Sequence, residues 1–363
     1  MAIRILFIGS HRPGRSPSQR FRMEHYFPYL SEKGFEYEYS TFISETGDIS
    51  LYRSGNYLKK LGLLLSGASR RLKDILRANN YDIIFIQREA FLTGTTFFEN
   101  LFQKSGAKII FDFDDSIWIP ETSNANRKFA WLKDERKTSR NIKLADLVIA
   151  GNYYLATYAK RFNDHVIIIP TTVDTDMFQP SPLEGKNNEP VCIGWSGSLT
   201  TIEHFKTCIP ALKELKARYG NRIHFKVMGD ENFSDRELNI QGTAWSEETE
   251  MAELNSYHIG IMPLPDNEWT RGKCGLKGLL YMSLAIPPVM SPVGVNCEII
   301  QHGKNGFLAA DQNEWVDTIS RLIENPEMRT QMGMEARKTV VEKYSVASQL
   351  SSLIHAFNDI IHK

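Results

Sequence analysis

At 363 residues the chain is long enough for two or three domains of roughly 150 residues each, and its 42% hydrophobic and 24% charged residues are ordinary for a soluble globular enzyme. That mixture excludes a collagen-like, mucin-like or largely disordered protein, because none of these carries enough apolar side chain to offset ordering entropy. Charge balances at 43 Lys/Arg against 43 Asp/Glu, yet residues 1–170 hold 25 against 18 and the remainder 18 against 25, so the basic part suits an anionic membrane surface or a phosphorylated partner, or else the two parts are independently evolved surfaces.

Residues 3–8 are a short apolar run before Gly9, too short for the core of a signal peptide, and read as a first buried strand. Further short runs, many rich in β-branched residues, follow at 83–86, 108–113, 147–150 and 166–169, then at 191–195, 224–228, 259–262 and 288–290. Strands buried on both faces read this way, and the helical patterns between them imply parallel sheets. Between the two groups, Pro170 to Pro180 and the polar stretch 181–190 break both periodicities and mark a domain boundary. The predicted fold is α/β, with two Rossmann-like parallel-sheet domains facing a central cleft. No apolar run is long enough to span a bilayer. The four cysteines, Cys192, Cys208, Cys274 and Cys297, form no C-x-x-C pair and suggest neither a disulfide framework nor a zinc site, so a reducing cytosol fits.

In open parallel sheets ligands bind outside the carboxyl ends of the strands, so the segments following each strand are the candidates. After the first strand, a cationic loop runs from Gly9 through Gly14 to Ser18, Arg20 and Arg22; its G-x-x-x-x-G spacing lacks the Lys-Ser/Thr of a phosphate-binding P-loop. Its amides and arginines suit a phosphate or anionic acceptor, or it is simply a solvated basic loop. Residues 51–80 place Arg53, Lys59, Lys60, Arg70, Arg71, Lys73 and Arg77 around an apolar run at 61–65, the pattern of a basic amphipathic face on anionic lipid or of a helix packing its leucines inward. Arg88, just after a strand, is a further cation at a strand end.

The strand ending at 113 runs into Asp112, Asp114 and Asp115. Crowded carboxylates raise at least one pKa, which suits a proton acceptor or a metal ligand, and the two-residue spacing places Asp112 and Asp114 on one face with Asp115 opposite; carboxylates capping the next element are the plainer alternative. Beyond the linker, Gly197 and Ser198 form a small-residue turn before a helix, where amides can approach a phosphate. Trp245 either stacks on a base or packs in the core. The densest segment holds Arg271, Lys273 and Lys277 around Gly272, Gly275 and Gly278, with Leu276 at the helix start, and combines cations with approachable amides in a way that fits a diphosphate.

With these segments on the page the chain resembles GT-B glycosyltransferases, in particular glycosyltransferase family 4. The resemblance rests on residues 170–180, on 276–289 with Met282 and Pro287, and on the C-terminal signatures around Ser291, Gly294, Glu298, Gly303 and Gly306 and around Asn325, Arg329, Gly333, Ala336 and Arg337. It implies a retaining transfer, without a catalytic metal or other required cofactor, of a sugar from a nucleoside-diphosphate sugar to a glycan or lipid-linked acceptor in cell-surface polysaccharide synthesis. The expected organisation is an acceptor-binding domain over 1–170, a nucleotide-sugar-binding domain over 171–345 and a C-terminal helix over 346–363 packing back on the first domain. The protein would be cytoplasmic and peripheral on the inner membrane face through 51–80, with no nucleic-acid partner.

The residues implied for chemistry are Asp114, Arg271 and Lys273; for the donor, Gly197, Ser198, Trp245, Lys273, Gly275, Leu276 and Lys277; for the acceptor, Ser18, Arg20, Arg22, Arg88 and Asp115. The family's E-x7-E pattern falls on Gly272 and Leu280, neither acidic; its donor-phosphate cations fall near Ser198 and Thr201, where none stands; and its usual histidine falls on Asp114. Arg271, Lys273 and Lys277 are the substitutes for the missing cations, and ribose recognition is left without a residue. These departures keep three competitors in view: a nucleotide-sugar epimerase or hydrolase, a non-catalytic nucleotide or glycan binder, and a metal-dependent Asp-x-Asp transferase.

Overall fold

The computed structural model describes residues 2–44, 47, 57–119, 133–181 and 189–362. The chain divides into two compact units, residues 1–171 with 349–363, and residues 172–348.

The first unit is built on a six-stranded parallel sheet of β1 (Arg4–Gly9), β2 (Glu36–Thr41), β3 (Ile83–Gln87), β4 (Lys108–Phe113), β5 (Leu147–Ala150) and β6 (Val166–Ile168), in the order β2-β1-β3-β4-β5-β6. Strands β1, β3, β4 and β5 are the apolar runs read from sequence and are almost wholly buried. Strand β2 escapes that reading because it is an edge strand: Glu36, Tyr37 and Glu38 are exposed and alternate charged with aromatic residues. The last helix, Val346–Ile361, joins this unit from Gln349 onward, where Phe357 sits against Phe35 and Phe85 with ring centroids 6.0 and 6.3 Å away.

The second unit carries a five-stranded parallel sheet of β7 (Val191–Ser196), β8 (Ile223–Met228), β11 (Ile259–Met262), β12 (Pro288–Met290) and β13 (Phe307–Leu308), in the order β13-β12-β11-β7-β8. A small antiparallel pair, β9 (Ser234–Asp235) with β10 (Ile240–Gln241), lies between β8 and β11 in the chain. Trp195, Phe205, Leu212, Leu215, Ile259, Ile319 and Leu322 belong to one continuous core, and burial of each such side chain contributes about 1.5–3 kcal/mol. The two glycines inside β7 and β11 have a packing reason: a Cβ on Gly194 would stand 2.1 Å from the Tyr257 ring, and one on Gly260 2.2 Å from the Tyr281 ring. Three of the cysteines are buried and all four are free thiols.

Candidate functional site

In the first sheet the strand order reverses at β1, with β2 on one side and β3 on the other, so the segments leaving β1 and β3 part and open a crevice at the strand ends. Five side chains meet there. Ser18, in the helix Pro17–Arg22, donates to Asp114 Oδ1 at 2.6 Å, and Gln87, the last residue of β3, donates to Ser18 Oγ at 2.6 Å. Arg88 approaches the same Asp114 oxygen through Nε and Nη2, each at 2.8 Å, and its Nη2 lies 3.7 Å from Asp115 Oδ2. It reaches both because it leaves β3 with φ 63°, a left-handed conformation uncommon for a residue bearing a Cβ. Strained backbone of this kind persists where the surroundings over-determine it, and it clusters at functional sites.

The three aspartates do not share one environment. Asp112, still within β4, is buried and held by Arg22, whose Nε lies 3.2 Å from both carboxylate oxygens and whose Nη2 also bonds Oδ1. Arg22 Nη1 donates in addition to the Ile169 carbonyl at 2.6 Å. Because β4 ends at Phe113, the strict alternation expected of an extended segment stops there, and Asp115 falls beside Asp114 on Arg88 instead of opposite it. Arg20 and Arg22, read as facing an acceptor, lie deeper than the other members of that set. Both are buried, Arg22 as the counter-charge of Asp112 and Arg20 against the Phe21 ring at 5.1 Å, whereas Ser18, Arg88 and Asp115 are only partly buried.

Burial opposes charge on Asp114, but Arg88, seconded by Arg22 and the Ser18 hydroxyl, holds its carboxyl below the ordinary value. Burial pushes the Asp112 carboxyl up, with Arg22 offsetting part of that rise and the Asp114 charge adding to it. A carboxyl held down contributes stability above its ordinary titration range and loses that contribution as pH falls through the lowered value. In Arg88→Met the burial remains and the counter-charge goes, so the Asp114 titration should move upward in carbon NMR of the side-chain carboxyls. An unmoved titration would show that Arg88 does not hold Asp114 in solution.

The loop after β1 is not the amide cradle that its glycines suggest. The Ser10 and His11 N–H groups donate to Gln19 Oε1 at 3.0 and 2.8 Å, and the Gly14 N–H donates to Glu24 Oε2 at 2.8 Å.

In the second sheet the order reverses at β7, with β8 on one side and β11 on the other, so the segments following β7 and β11 flank the corresponding crevice. The turns after β7 and β8 pack backbone to backbone: a Cβ on Gly229 would stand 2.1 Å from the Gly197 carbonyl oxygen. The Gly197 N–H donates to the Met228 carbonyl at 2.9 Å and the Ser198 N–H to Thr201 Oγ1 at 3.0 Å. The Gly197 amide is thus taken by the end of β8 and the Ser198 amide by its own turn, while the Ser198 side chain is exposed.

The helix Leu276–Ser283 is keyed to the ends of both strands. Tyr281 lies against Gly260 of β11, and its hydroxyl accepts from the Ser196 N–H at the end of β7 at 2.9 Å. At its start Gly275 adopts φ 72°, where a Cβ would stand 2.4 Å from Ile299 Cδ1. The positive end of the helix, with Leu276 as its first residue, is therefore fixed at the switch point. Lys273 Nζ stands 3.4 Å over the Trp269 ring and Lys277 Nζ 5.6 Å over the Trp195 ring, so the indole faces orient both ammonium groups. Arg271 is exposed and bonded to Asp266 at 2.7 and 3.1 Å, which answers part of its charge. Trp245 is half-buried, and its indole N–H donates to Glu250 Oε1 at 2.9 Å. Gln87 and Trp269 are the functional neighbours that sequence reasoning missed; the only signals were a polar residue ending a buried strand and an aromatic four positions before Lys273.

Residues 190–325 match the family model described as glycosyl transferases group 1. The match lies within the second unit and marks the chain as a glycosyltransferase. No curated protein matches the chain in sequence. Among solved structures, the whole chain is similar to sucrose-phosphate synthase from Thermosynechococcus elongatus (TM-score 0.73, 13% identity, 99% of each chain covered). It is likewise similar to the catalytic domain of starch synthase IV from Arabidopsis thaliana bound to ADP and acarbose (0.70, 12%, 100% of each) and to HepE from Anabaena in complex with UDP (0.63, 14%, 98% of this chain and 100% of the other). The transferase therefore has the GT-B fold, two Rossmann-like parallel-sheet domains. Leu280, on which the resemblance places the second glutamate of the E-x7-E pattern, is buried. Among the described residues, no group of three or more His, Cys, Asp or Glu is placed to hold a metal ion, and no helix is long and apolar enough to cross a membrane.

Proposed function

We propose that the transferase is a retaining, family 4-like hexosyltransferase that moves a sugar from a nucleoside-diphosphate sugar to a glycan or lipid-linked acceptor, in cell-surface polysaccharide synthesis at the cytoplasmic face of a membrane. The observation that carries the reading is the start of the helix Leu276–Ser283, where a helix N-terminus, a left-handed glycine and the ammonium groups of Lys273 and Lys277 come together at a switch point. A diphosphate gains negative charge as it leaves, and fixed cations with a helix dipole stabilise that charge most in the transition state. Arg271 adds a third cation at the edge, and Gly197, Ser198 and Trp245 border the donor. Two similar structures, HepE in complex with UDP-glucose and starch synthase IV bound to ADP, support a nucleoside diphosphate as the leaving group.

The acceptor is assigned to the first unit. Asp114, kept charged by Arg88, accepts a hydrogen bond from the acceptor hydroxyl and orients it for transfer, while Ser18 and Asp115 line the approach. The donor half is tested by thermal denaturation with UDP, GDP, ADP, CDP and TDP and their common sugars. One diphosphate should stabilise the protein, by about 2.7 kcal/mol at a hundredfold excess over its Kd, and Lys273→Ala should remove the gain. Absence of any shift would sink the donor assignment. With the donor identified, proton NMR of the product reports the anomeric configuration, and inversion, or free or isomerised sugar without acceptor, would overturn the reaction type.

A further inference from the structure

The helix Tyr57–Leu76 packs on the first unit in a way that its sequence does not announce. Its inward face is Lys60, Leu63, Gly67, Arg71 and Asp74, all buried, so two of the cations read as a basic surface do not reach it. Gly67 sits so close to Phe42 that a Cβ would stand 2.1 Å from the ring, and Arg71 donates to the carbonyls of Gly9 and Ala90 at 2.8 and 2.7 Å and to Asp74 Oδ2 at 3.0 Å. The leucines divide: Leu63 is buried against Phe42 and Ile43 and Leu64 packs partly against the same cluster. Leu58, Leu61, Leu65, Leu72 and Leu76 are instead 85%, 53%, 65%, 47% and 86% exposed. At 100° per residue these five positions fall within one narrow stripe, opposite the buried face and about 27 Å long.

We propose that this leucine row inserts into the acyl region of an anionic lipid bilayer and seats the enzyme on the membrane. The inference deepens the peripheral reading given above and rests on it. Charge decides the occupant. Lys59 and Lys73 are exposed on one flank of the row, with half-exposed Arg70 beside them. The helix has one carboxylate, Asp74, and it is buried and bonded to Arg71 and Arg77. A second copy of this helix therefore brings no exposed carboxylate to meet the cations, whereas anionic headgroups meet them along the whole row while the leucines enter the layer below. Arg53, part of the basic stretch 51–80, lies outside the described residues.

The test is co-sedimentation with vesicles of phosphatidylcholine alone and of equimolar phosphatidylcholine and phosphatidylglycerol, at low and high salt, with sedimentation velocity of the free protein. Wild type should bind the mixed vesicles and keep part of its binding at high salt, since apolar insertion is not screened. Leu61→Ser with Leu65→Ser, both at exposed positions, should lower partitioning by at least about tenfold with an unchanged melting temperature. Lys59→Ala with Lys73→Ala should lose binding mainly at low salt. Leucine-independent but charge-dependent binding would overturn the inserted row and leave peripheral association standing. Absence of binding to either vesicle would overturn both, as would a wild-type dimer that the leucine variant turns into monomer, which would assign the row to a second copy. The donor-induced thermal shift, governed by Lys273, reports separately on the transferase reading.

Discussion

Arg22→Ala is expected to destabilise the first unit by about 3–5 kcal/mol, because it strands a buried carboxylate. The side chains of Arg22 and Asp112 are 2% and 1% exposed, so no solvent replaces the lost guanidinium. Without it, Asp112, already pushed up by burial, should take up a proton in the folded state. The loss of stability is then greatest at neutral pH and shrinks as pH falls through the raised value. Replacing both partners by apolar residues, Arg22→Met with Asp112→Leu, should recover much of the stability, since no unpaired charge remains. Urea unfolding of the single and double variants decides the matter. A single variant that unfolds like wild type but loses turnover would return Arg22 to the acceptor site.

The largest effect on chemistry is expected from Asp114→Asn, a fall in kcat of about 10²–10⁴-fold for loss of a hydroxyl-orienting base. The substitution keeps size and an acceptor for the Ser18 hydroxyl but removes the charge on which Arg88 closes. Its cost in stability should be about 1 kcal/mol or less, because the Arg88 side chain is one-third exposed and water can replace the pairing. Donor affinity should not move, since Lys273, Gly275 and Lys277 belong to the other unit. A fall in kcat with an unaltered donor-induced thermal shift therefore separates acceptor activation from misfolding. Wild-type turnover would remove Asp114 from the chemistry.

Much of this protein is legible in its residues alone. Runs such as 108–113 and 259–262 are buried on both faces, and a strand so buried leaves a continuous apolar signature that needs no tertiary knowledge. Segments that follow such strands could be marked as sites for the same reason, and the cations around Gly275 were found that way. The edge strands β2 and β13 were not found: one alternates charge with aromatic residues, the other is two residues long, and neither is enclosed on both sides.

Tertiary structure alone decided which polar groups are available. Arg22, Arg71 and Arg88 read alike in sequence, yet two are buried and Arg88 is one-third exposed, because the outcome depends on which carboxylates and carbonyls, up to 147 residues away, lie opposite each guanidinium. Likewise the amides after β1 and β7 are taken by Gln19, Glu24, Met228 and Thr201, a partnering that glycine spacing does not encode. Five leucines of the helix Tyr57–Leu76 face outward while Leu63 stays inside, because Arg71 and Gly67 share the inward positions with it, one bridging the ends of separate strands and the other admitting Phe42. Periodicity determines that a helix has two faces; which face is buried is settled by what the rest of the fold presents to it.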